Sequence, residues 1–589
     1  MSWEAWFTLA VVAATVVVLV RDLLPPSAAF MAALVVVLAV DIVDPEQAFS
    51  GFSNTAPITI AALYVVSKGI EKTGALSPLV ARTLGDDAGL RGSLARLTIP
   101  VAGVSAFMNN TPIVAMLVPQ VERWAEGRGR SPSDFLMPLS FAAILGGVVT
   151  VIGTATNLVV SGLFEASGQE PLGFFEMTPV GLPVAIGGIA LVVALAPAVL
   201  PSRRSVRSEA ATELREFTTE MVVDEGGPLA GKTVGEGGLR HLESVFLVQL
   251  ERGGGDVVAP VSPGTRLFGG DTLRFVGRSD RVAELMAIRG LSPAVRDQII
   301  QVGGGRHTYY ELVIGSASPL VGRTLREAGF RNMYQAAVVA IHRAGQLVDA
   351  KLGSVRLRVG DTLLVLSDPG FRDRWANTTH FLLIAPLDVA PPVGTRGALA
   401  VAGVIAAVVV LAATGAMPLV SAVLLGAVGL VVLRVLSPRE AVGAVNLDVV
   451  VMIAAALGLA QAMITSGLAE QIADLLVSVF EGLGPRGVLL GTVLATVVLT
   501  EFVTNTAAAL LVFPIAVTTA ASLGLDPRPF GIAVALAASS FLTPIGYQTN
   551  TMVYGPGGYR FTDYLRLGGP ITAMNVALIV ALVPVFWPL

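Results

Sequence analysis

Two stretches set amides and hydroxyls into hydrocarbon: "FMNNTPIVAMLVP" at residues 107–119 and "FVTNTAAALLVFP" at 502–514. Each places an Asn-Thr pair, Asn110-Thr111 and Asn505-Thr506, just ahead of an apolar run. A helix beginning there has free backbone N–H groups and about half a positive charge at its start. Asn110 or Thr111 is suited to cap the first, and Pro112 fits its opening turn. Such a helix end is an anion site. Two more stretches, "GTATN" at 153–157 and "GYQTN" at 546–550, interrupt apolar runs with Gly, Thr and Asn. Unwound backbone there frees carbonyl oxygens, which together with Asn and Thr oxygens suit a small hard cation such as Na⁺. Asn, Thr and Gly also serve membrane helices as plain packing and hydrogen-bonding groups. Recurrence in register favours chemistry.

That recurrence runs along the chain. Gly153–Asn157 matches Gly546–Asn550 at a shift of 393 residues, and Asn110-Thr111 matches Asn505-Thr506 at 395. Pro119 then meets Pro514, Ser105 meets Thr500, and Lys72-Thr73-Gly74 meets Thr465-Ser466-Gly467. The chain has 589 residues, 53% hydrophobic and 14% charged, with a mean hydropathy of +0.73. Soluble domains carry about 25% charged residues, so a polytopic membrane protein is predicted. The net charge of −4 gives no basic surface for nucleic acid. There is no cysteine, which excludes disulfides, thiol nucleophiles and Cys-based zinc sites. No nucleophile–base pair stands in the apolar segments, so no enzyme is expected. The opening "MSWEAWFTLAVVAATVVVLVRDLLPP" has its Arg21 after the apolar run, which reads as a retained span rather than a cleaved signal.

Apolar segments fill 5–20, 27–43, 56–70, 93–120, 134–162 and 178–200, then 397–414, 416–434, 447–465, 485–515, 529–555 and 569–588. Two transmembrane halves follow, 1–201 and 391–589, around a polar Gly-rich insert. Loops 43–55 and 163–177 lack Lys and Arg. Lys68, Lys72, Arg82 and Arg91, then Arg123, Arg128 and Arg130, then Arg203, Arg204 and Arg207 cluster elsewhere. The positive-inside rule accommodates these only if 93–120 enters and leaves on the cytoplasmic side. Interrupted by Pro100 and Pro112, it is predicted to be a re-entrant hairpin of two short helices with "NNT" at its tip. Segment 485–515 is the matching hairpin from outside, given Arg434, Arg439, Arg560 and Arg566 inside. The predicted fold is a polytopic α-helical inverted repeat with two re-entrant hairpins, broken helices, five spans per half and the N-terminus outside. Twelve plain spans are the alternative, and they leave the basic 121–133 loop outside.

The insert repeats too. "GPLAGKTVGEGGLR" (227–240) matches "SPLVGRTLREAGFR" (318–331), and "GGDTLRFVG" (269–277) matches "VGDTLLVLS" (359–367). Two α+β cytoplasmic modules are expected, 202–295 and 296–390.

The paired tips, with "TEFVTNTAAALLVFP", "GTATN" and "TPIGYQTN", resemble the divalent anion/sodium symporter family across both halves. The resemblance implies an elevator-type homodimer carrying sulfate or di- and tricarboxylates with Na⁺. By position it implies one Na⁺ set of Ser105, Asn109, Asn110 and Gly153, and another of Thr500, Thr504, Asn505 and Gly546. Asn110, Thr111, Asn505, Thr506, Thr156 and Thr549 then contact the anion. Asn109 and Thr504 stand where the family has Ser, and the family's Pro-Pro is missing from "GTATN" and "GYQTN". The modules resemble TrkA-C (regulator-of-potassium-conductance C-terminal) domains, which tilts the substrate toward sulfate and suggests a small-molecule or nucleotide regulator. The modules have no recognisable dinucleotide-binding half, so NAD is not expected.

Other motifs weigh less. "GGPLAGKT" (226–233) fits a phosphate-loop pattern, which needs a preceding strand and a following helix; "VGEGGLRHL" is a poor helix. Glu501, an acid in an apolar run, is a coupling candidate. The histidines, His241, His307, His342 and His380, show no ligand spacing. The acids at 470–481 read as an interfacial helix face. No T-x-G-Y-G filter supports a regulated cation channel. The expectation is a Na⁺-coupled symporter of a small divalent anion in a bacterial inner membrane. The alternatives are a C4-dicarboxylate symporter, a proton-coupled antiporter or oxyanion exporter, and a cation channel or transporter regulated by the insert.

Overall fold

The computed structural model describes residues 2–203 apart from 22 and 75–88, and 395–589 apart from 540. Between them it describes 218–386 apart from 240–244, 253–255, 278–287, 289, 294–307, 316–317, 344–345, 349–351, 369, 376–377 and 379. His241 and His307 lie outside the described residues. The chain divides into two compact units. One is Met1–Ser202, Pro391–Tyr554 and Tyr559–Leu589; the other is Arg203–Ala390 and Gly555–Gly558.

In the first unit, the first half runs α1 (Trp3–Val20), α2 (Pro26–Ala39), α3 (Pro45–Phe49), α4 (Thr55–Thr73), α5 (Leu90–Ser105), α6 (Asn110–Glu126), α7 (Leu136–Gly147), α8 (Ala155–Ala166) and α9 (Thr178–Val199). The second half runs α10 (Thr395–Ala413), α11 (Leu419–Val432), α12 (Pro438–Ala444), α13 (Leu447–Thr465), α14 (Leu468–Phe480), α15 (Gly484–Phe502), α16 (Asn505–Ser522), α17 (Pro527–Ala537), α18 (Gln548–Tyr554) and α19 (Phe561–Phe586). Apart from α14, which has no counterpart among the described residues, the two series run alike, and like residues start like helices: Pro25 and Pro418, Asn54 and Asn446, Asn109 and Thr504. Among the described residues, seven helical segments are long and apolar enough to cross a membrane. The chain is a multi-pass membrane protein.

Residues 93–120 are not one span. Arg130, beyond the end of α6, donates to Ser93 in the first turn of α5 at 2.7 Å, so the two arms return to one place. The arms are longer than the sequence suggested: 16 and 17 residues in α5 and α6, 19 and 18 in α15 and α16. At 1.5 Å per residue they measure about 24–29 Å. Their helices run on through Arg91, Arg96, Arg123 and Arg486, long side chains that can carry a charged head away from an apolar stem. Pro100 does not break its helix; it lies inside α5.

Helices of the two halves interlock. Helix α2 lies on α13, α4 on α10 and α11, and α13 on α16; α7 packs on α5 and α9, α17 on α15 and α16, and α9 on α19. Glycine makes the packing around α7 tight. A Cβ on Gly146 would stand 2.2 Å from Ala102 O, and one on Gly181 2.3 Å from Val148 O.

The second unit holds two antiparallel five-stranded sheets of one topology. Strands β1 (Thr218–Val223), β2 (Val245–Arg252), β3 (Asp256–Val258), β4 (Thr272–Gly277) and β5 (Leu291–Pro293) lie in the order β3-β2-β4-β1-β5. Strands β6 (Thr308–Ile314), β7 (Ala337–Arg343), β8 (Gln346–Leu347), β9 (Thr362–Ser367) and β10 (Phe381–Pro386) repeat it as β10-β6-β9-β7-β8. The "GDTL" aspartates are buried staples. Asp271 receives two bonds from Arg252 at 2.9 Å, and Asp361 two from Arg343 at 2.8 Å. The phosphate-loop pattern is occupied by the fold. The amides of Gly231, Lys232 and Val234 donate to Leu267, Leu229 and Thr265 carbonyls, and turns follow instead of a helix.

His342 on β7 is buried, and neither ring nitrogen has a hydrogen-bond partner among the described residues. Burial lowers its pKa to about 4. The unfolded chain therefore takes up a proton near pH 6.5 that the folded sheet refuses until about pH 4. The stability this group supplies is complete at neutral pH and falls by about 3 kcal/mol as pH drops from 7 to 4. Hydrogen exchange on the full chain, corrected for intrinsic rates, should show β6, β7 and β9 losing protection across that window. His342→Leu should flatten the loss.

Candidate functional site

Helix α5 ends at Ser105, residues 106–109 turn, and α6 begins at Asn110. The capping residue is Asn109, whose side-chain oxygen accepts from the Thr111 amide at 3.4 Å, rather than Asn110 or Thr111. In the second half Thr504 caps α16 in the same way, accepting from Ala507 N at 3.3 Å. Asn and Thr are both good N-caps, so the first position of each tip does the same work in the two halves. Capping by Asn109 and Thr504 leaves the Asn110 and Asn505 side chains free to face across the unit.

Asn110 is fully buried. With its nitrogen turned toward them, it donates to Ser105 Oγ at 2.6 Å, Ala143 O at 3.0 Å and Gly153 O at 3.1 Å, while its oxygen accepts from the Tyr547 hydroxyl at 2.6 Å. With the amide reversed, Ser105 Oγ donates to Asn110 Oδ1 and Nδ2 donates to Tyr547. Ser105, Asn110 and Gly153 of the first predicted Na⁺ set are thus brought together, with Ala143 O added. The second set is not assembled in this way. Thr500 donates to Thr496 O of its own helix at 2.8 Å, Thr504 is the cap, and Gly546 N donates to Thr543 Oγ1 at 3.0 Å.

The halves meet at the tips. Asn505 Nδ2 donates to Thr156 Oγ1 at 2.8 Å, and Thr156 stands 3.5 Å from Thr506 Oγ1. Thr111 Oγ1 donates to the exposed Gln548 at 3.3 Å. Thr549, the repeat partner of Thr156, turns away and accepts from Ser140 Oγ at 2.9 Å. Asn157 and Asn550 staple their own loops, donating to Thr150 O at 2.9 Å and Thr543 O at 3.2 Å. Glu501 lies in the last turn of α15, partly buried. Sequence reasoning missed Tyr547, Gln548 and Ser140. Tyr547 is an aromatic in an apolar segment, so its polarity gives no signal. Its place opposite Thr154 in the repeat does.

The arrangement offers two helix starts, converging neutral side chains and a cluster of inward carbonyls. Among the described residues no group of His, Asp or Glu is placed to hold a transition metal. The family model described as Citrate transporter (CitMHS) matches residues 15–537 and 482–588. The chain belongs to the citrate transporter family. Its relatives agree in kind. An uncharacterized transporter of Synechocystis is 35% identical over 589 residues, 97% of this chain and 95% of that protein. Sodium/sulfate cotransporter 1 of Chlamydomonas reinhardtii is 24% identical over 97% of this chain and 88% of its own. A sodium-dependent dicarboxylate transporter of Staphylococcus saprophyticus is 27% identical over 136 residues, 23% of this chain and 26% of that protein.

Proposed function

We propose that this protein is a Na⁺-coupled symporter of a small divalent anion, with sulfate as the substrate. The observation that carries the reading is the meeting of both helix starts, Asn110 with Tyr547 and Asn505 with Thr156, beside the Ser105, Ala143 and Gly153 oxygens. Asn110, Thr111, Asn505, Thr506 and Thr156 receive the anion; Thr549, facing Ser140, supports the loop. Na⁺ takes the Ser105–Asn110–Gly153 cluster, which the Asn110 amide enters oxygen-first by rotating. Asn109 supports that site as the cap. Thr500, Thr504, Asn505 and Gly546 form the second site after their hydroxyls leave their present partners. Glu501 assists coupling.

The family resemblance supports an elevator, with the halves inverted and both hairpins re-entrant. The positive loops support a cytoplasmic-membrane protein with its N-terminus outside and residues 202–390 in the cytoplasm. A homodimer follows from the family resemblance, and the two matching sheets support TrkA-C-like modules that take a small-molecule or nucleotide regulator. A dicarboxylate is the second reading, favoured by one relative's name, with the family's description naming another small carboxylate, citrate. Radiolabelled sulfate uptake into proteoliposomes tests both. Uptake should be driven by an inward Na⁺ gradient and resist excess succinate. Competition by succinate would move the dicarboxylate reading ahead. Uptake indifferent to Na⁺ would end the proposal and bring forward proton coupling or export.

A further inference from the structure

The repeat is broken at one position inside the site. By the shift of 393 residues, Tyr547 stands where Thr154 stands in the first half. The two equivalents touch, hydroxyl to hydroxyl, at 3.0 Å. On one side of the pseudo-symmetric site, Asn505 reaches Thr156. On the other, the equivalent Thr549 is held by Ser140 and the phenol of Tyr547 meets Asn110 instead. Tyr547 also interacts with Asn505. Its hydroxyl therefore reaches both tips, and the side chain is only 5% exposed. A full aromatic ring occupies a place where the internal symmetry would put two carbons and a hydroxyl.

We propose that Tyr547 sets substrate size, its ring filling part of the space between the tips and restricting the site to a compact tetrahedral dianion. The inference rests on the transport reading above. A dicarboxylate carries its charges at two ends with an aliphatic stretch between, and needs two separated donor groups with room for that stretch. A tetrahedral dianion presents all its oxygens around one centre, which one tight ring of neutral donors can satisfy. The side chains that meet here are Ser, Asn, Thr, Gln and Tyr, with no Lys, Arg or His among them. Hydrogen-bond donors from a single shell are the means of recognition this site has, and the phenol is one of them.

The test is the ratio of sulfate to succinate uptake in proteoliposomes, for wild type, Tyr547→Phe and Tyr547→Thr, the last restoring the repeat. Tyr547→Phe should weaken sulfate uptake several-fold and move the ratio less than Tyr547→Thr does, with sulfate still preferred. Tyr547→Thr should shift the ratio toward succinate by at least about tenfold, or 1.4 kcal/mol. Should Tyr547→Thr not fold, Tyr547→Leu shortens the side chain and carries the same expectation. A loss of structure alone lowers both uptakes together and leaves the ratio unmoved, which counts against the inference. A Phe variant that shifts as far as the Thr variant assigns the effect to the hydroxyl and overturns it. Wild type that carries succinate as fast as sulfate also overturns it. Wild type that takes up sulfate, with an unshifted ratio in both shortened variants, overturns this inference alone. Wild type that takes up neither anion overturns the transport reading with it.

Discussion

Asn110→Ala and Asn505→Ala should each lower Na⁺-driven sulfate uptake at least about a hundredfold, a loss of about 2.7 kcal/mol. Asn110 is buried with Ser105, Ala143, Gly153 and Tyr547 around its amide. Alanine leaves those groups without their partner, at about 1–3 kcal/mol, and removes a ligand to both proposed occupants. Asn505 is less buried and meets two hydroxyls, Thr156 and Tyr547, so its loss falls on the anion more than on the fold. The double variant is the informative one. If the tips act as one site, removing the second asparagine from an already inactive protein costs little more. Independent sites would multiply the losses. Transport rate at matched protein incorporation decides between them, and near wild-type uptake in either single variant would remove that tip from the mechanism.

Gly147→Ala should raise the Na⁺ concentration for half-maximal uptake at least about tenfold, roughly 1.4 kcal/mol. A Cβ at position 147 would stand 2.6 Å from Asn110 Oδ1, 2.9 Å from Nδ2 and 3.1 Å from Cγ. The amide cannot swing clear without leaving Ser105 and Gly153. The clash therefore falls on the atom whose rotation the cation needs. Gly103→Ala is the control, since a Cβ there meets nothing within 4 Å, and it should leave the Na⁺ dependence unchanged. An unshifted Na⁺ dependence in Gly147→Ala would take Asn110 out of cation binding.

The places where helices break were legible because polar residues inside hydrocarbon have few reasons to be there. "NNT", "TNT", "GTATN" and "GYQTN" each end or begin a helix as their chemistry suggests. The exact cap was not legible. Asn109, Asn110 and Thr111 are all capping types, and which of them faces the backbone depends on the turn at 106–109. Arm lengths were misjudged because charged ends such as Arg91 and Arg123 were read as lying outside the helix. Long-range contacts could not be read at all. Gly147 approaches Asn110 within the first half and Ser140 meets Thr549 across the halves, and neither Gly147 nor Ser140 stands out in its own apolar run. In the insert the two "GDTL" turns were visible, but the buried Arg–Asp pairs that give them meaning join strands about 20 residues apart.

If cation and anion share one site, binding shows it without transport. Radiolabelled sulfate binding to the purified protein is measured as Na⁺ replaces choline at constant ionic strength. Coupling free energies are reciprocal, so the sulfate Kd should fall at least about tenfold as Na⁺ rises, and saturating sulfate should tighten Na⁺ binding by the same factor. A sulfate Kd that is the same in choline and in Na⁺ would contradict the account.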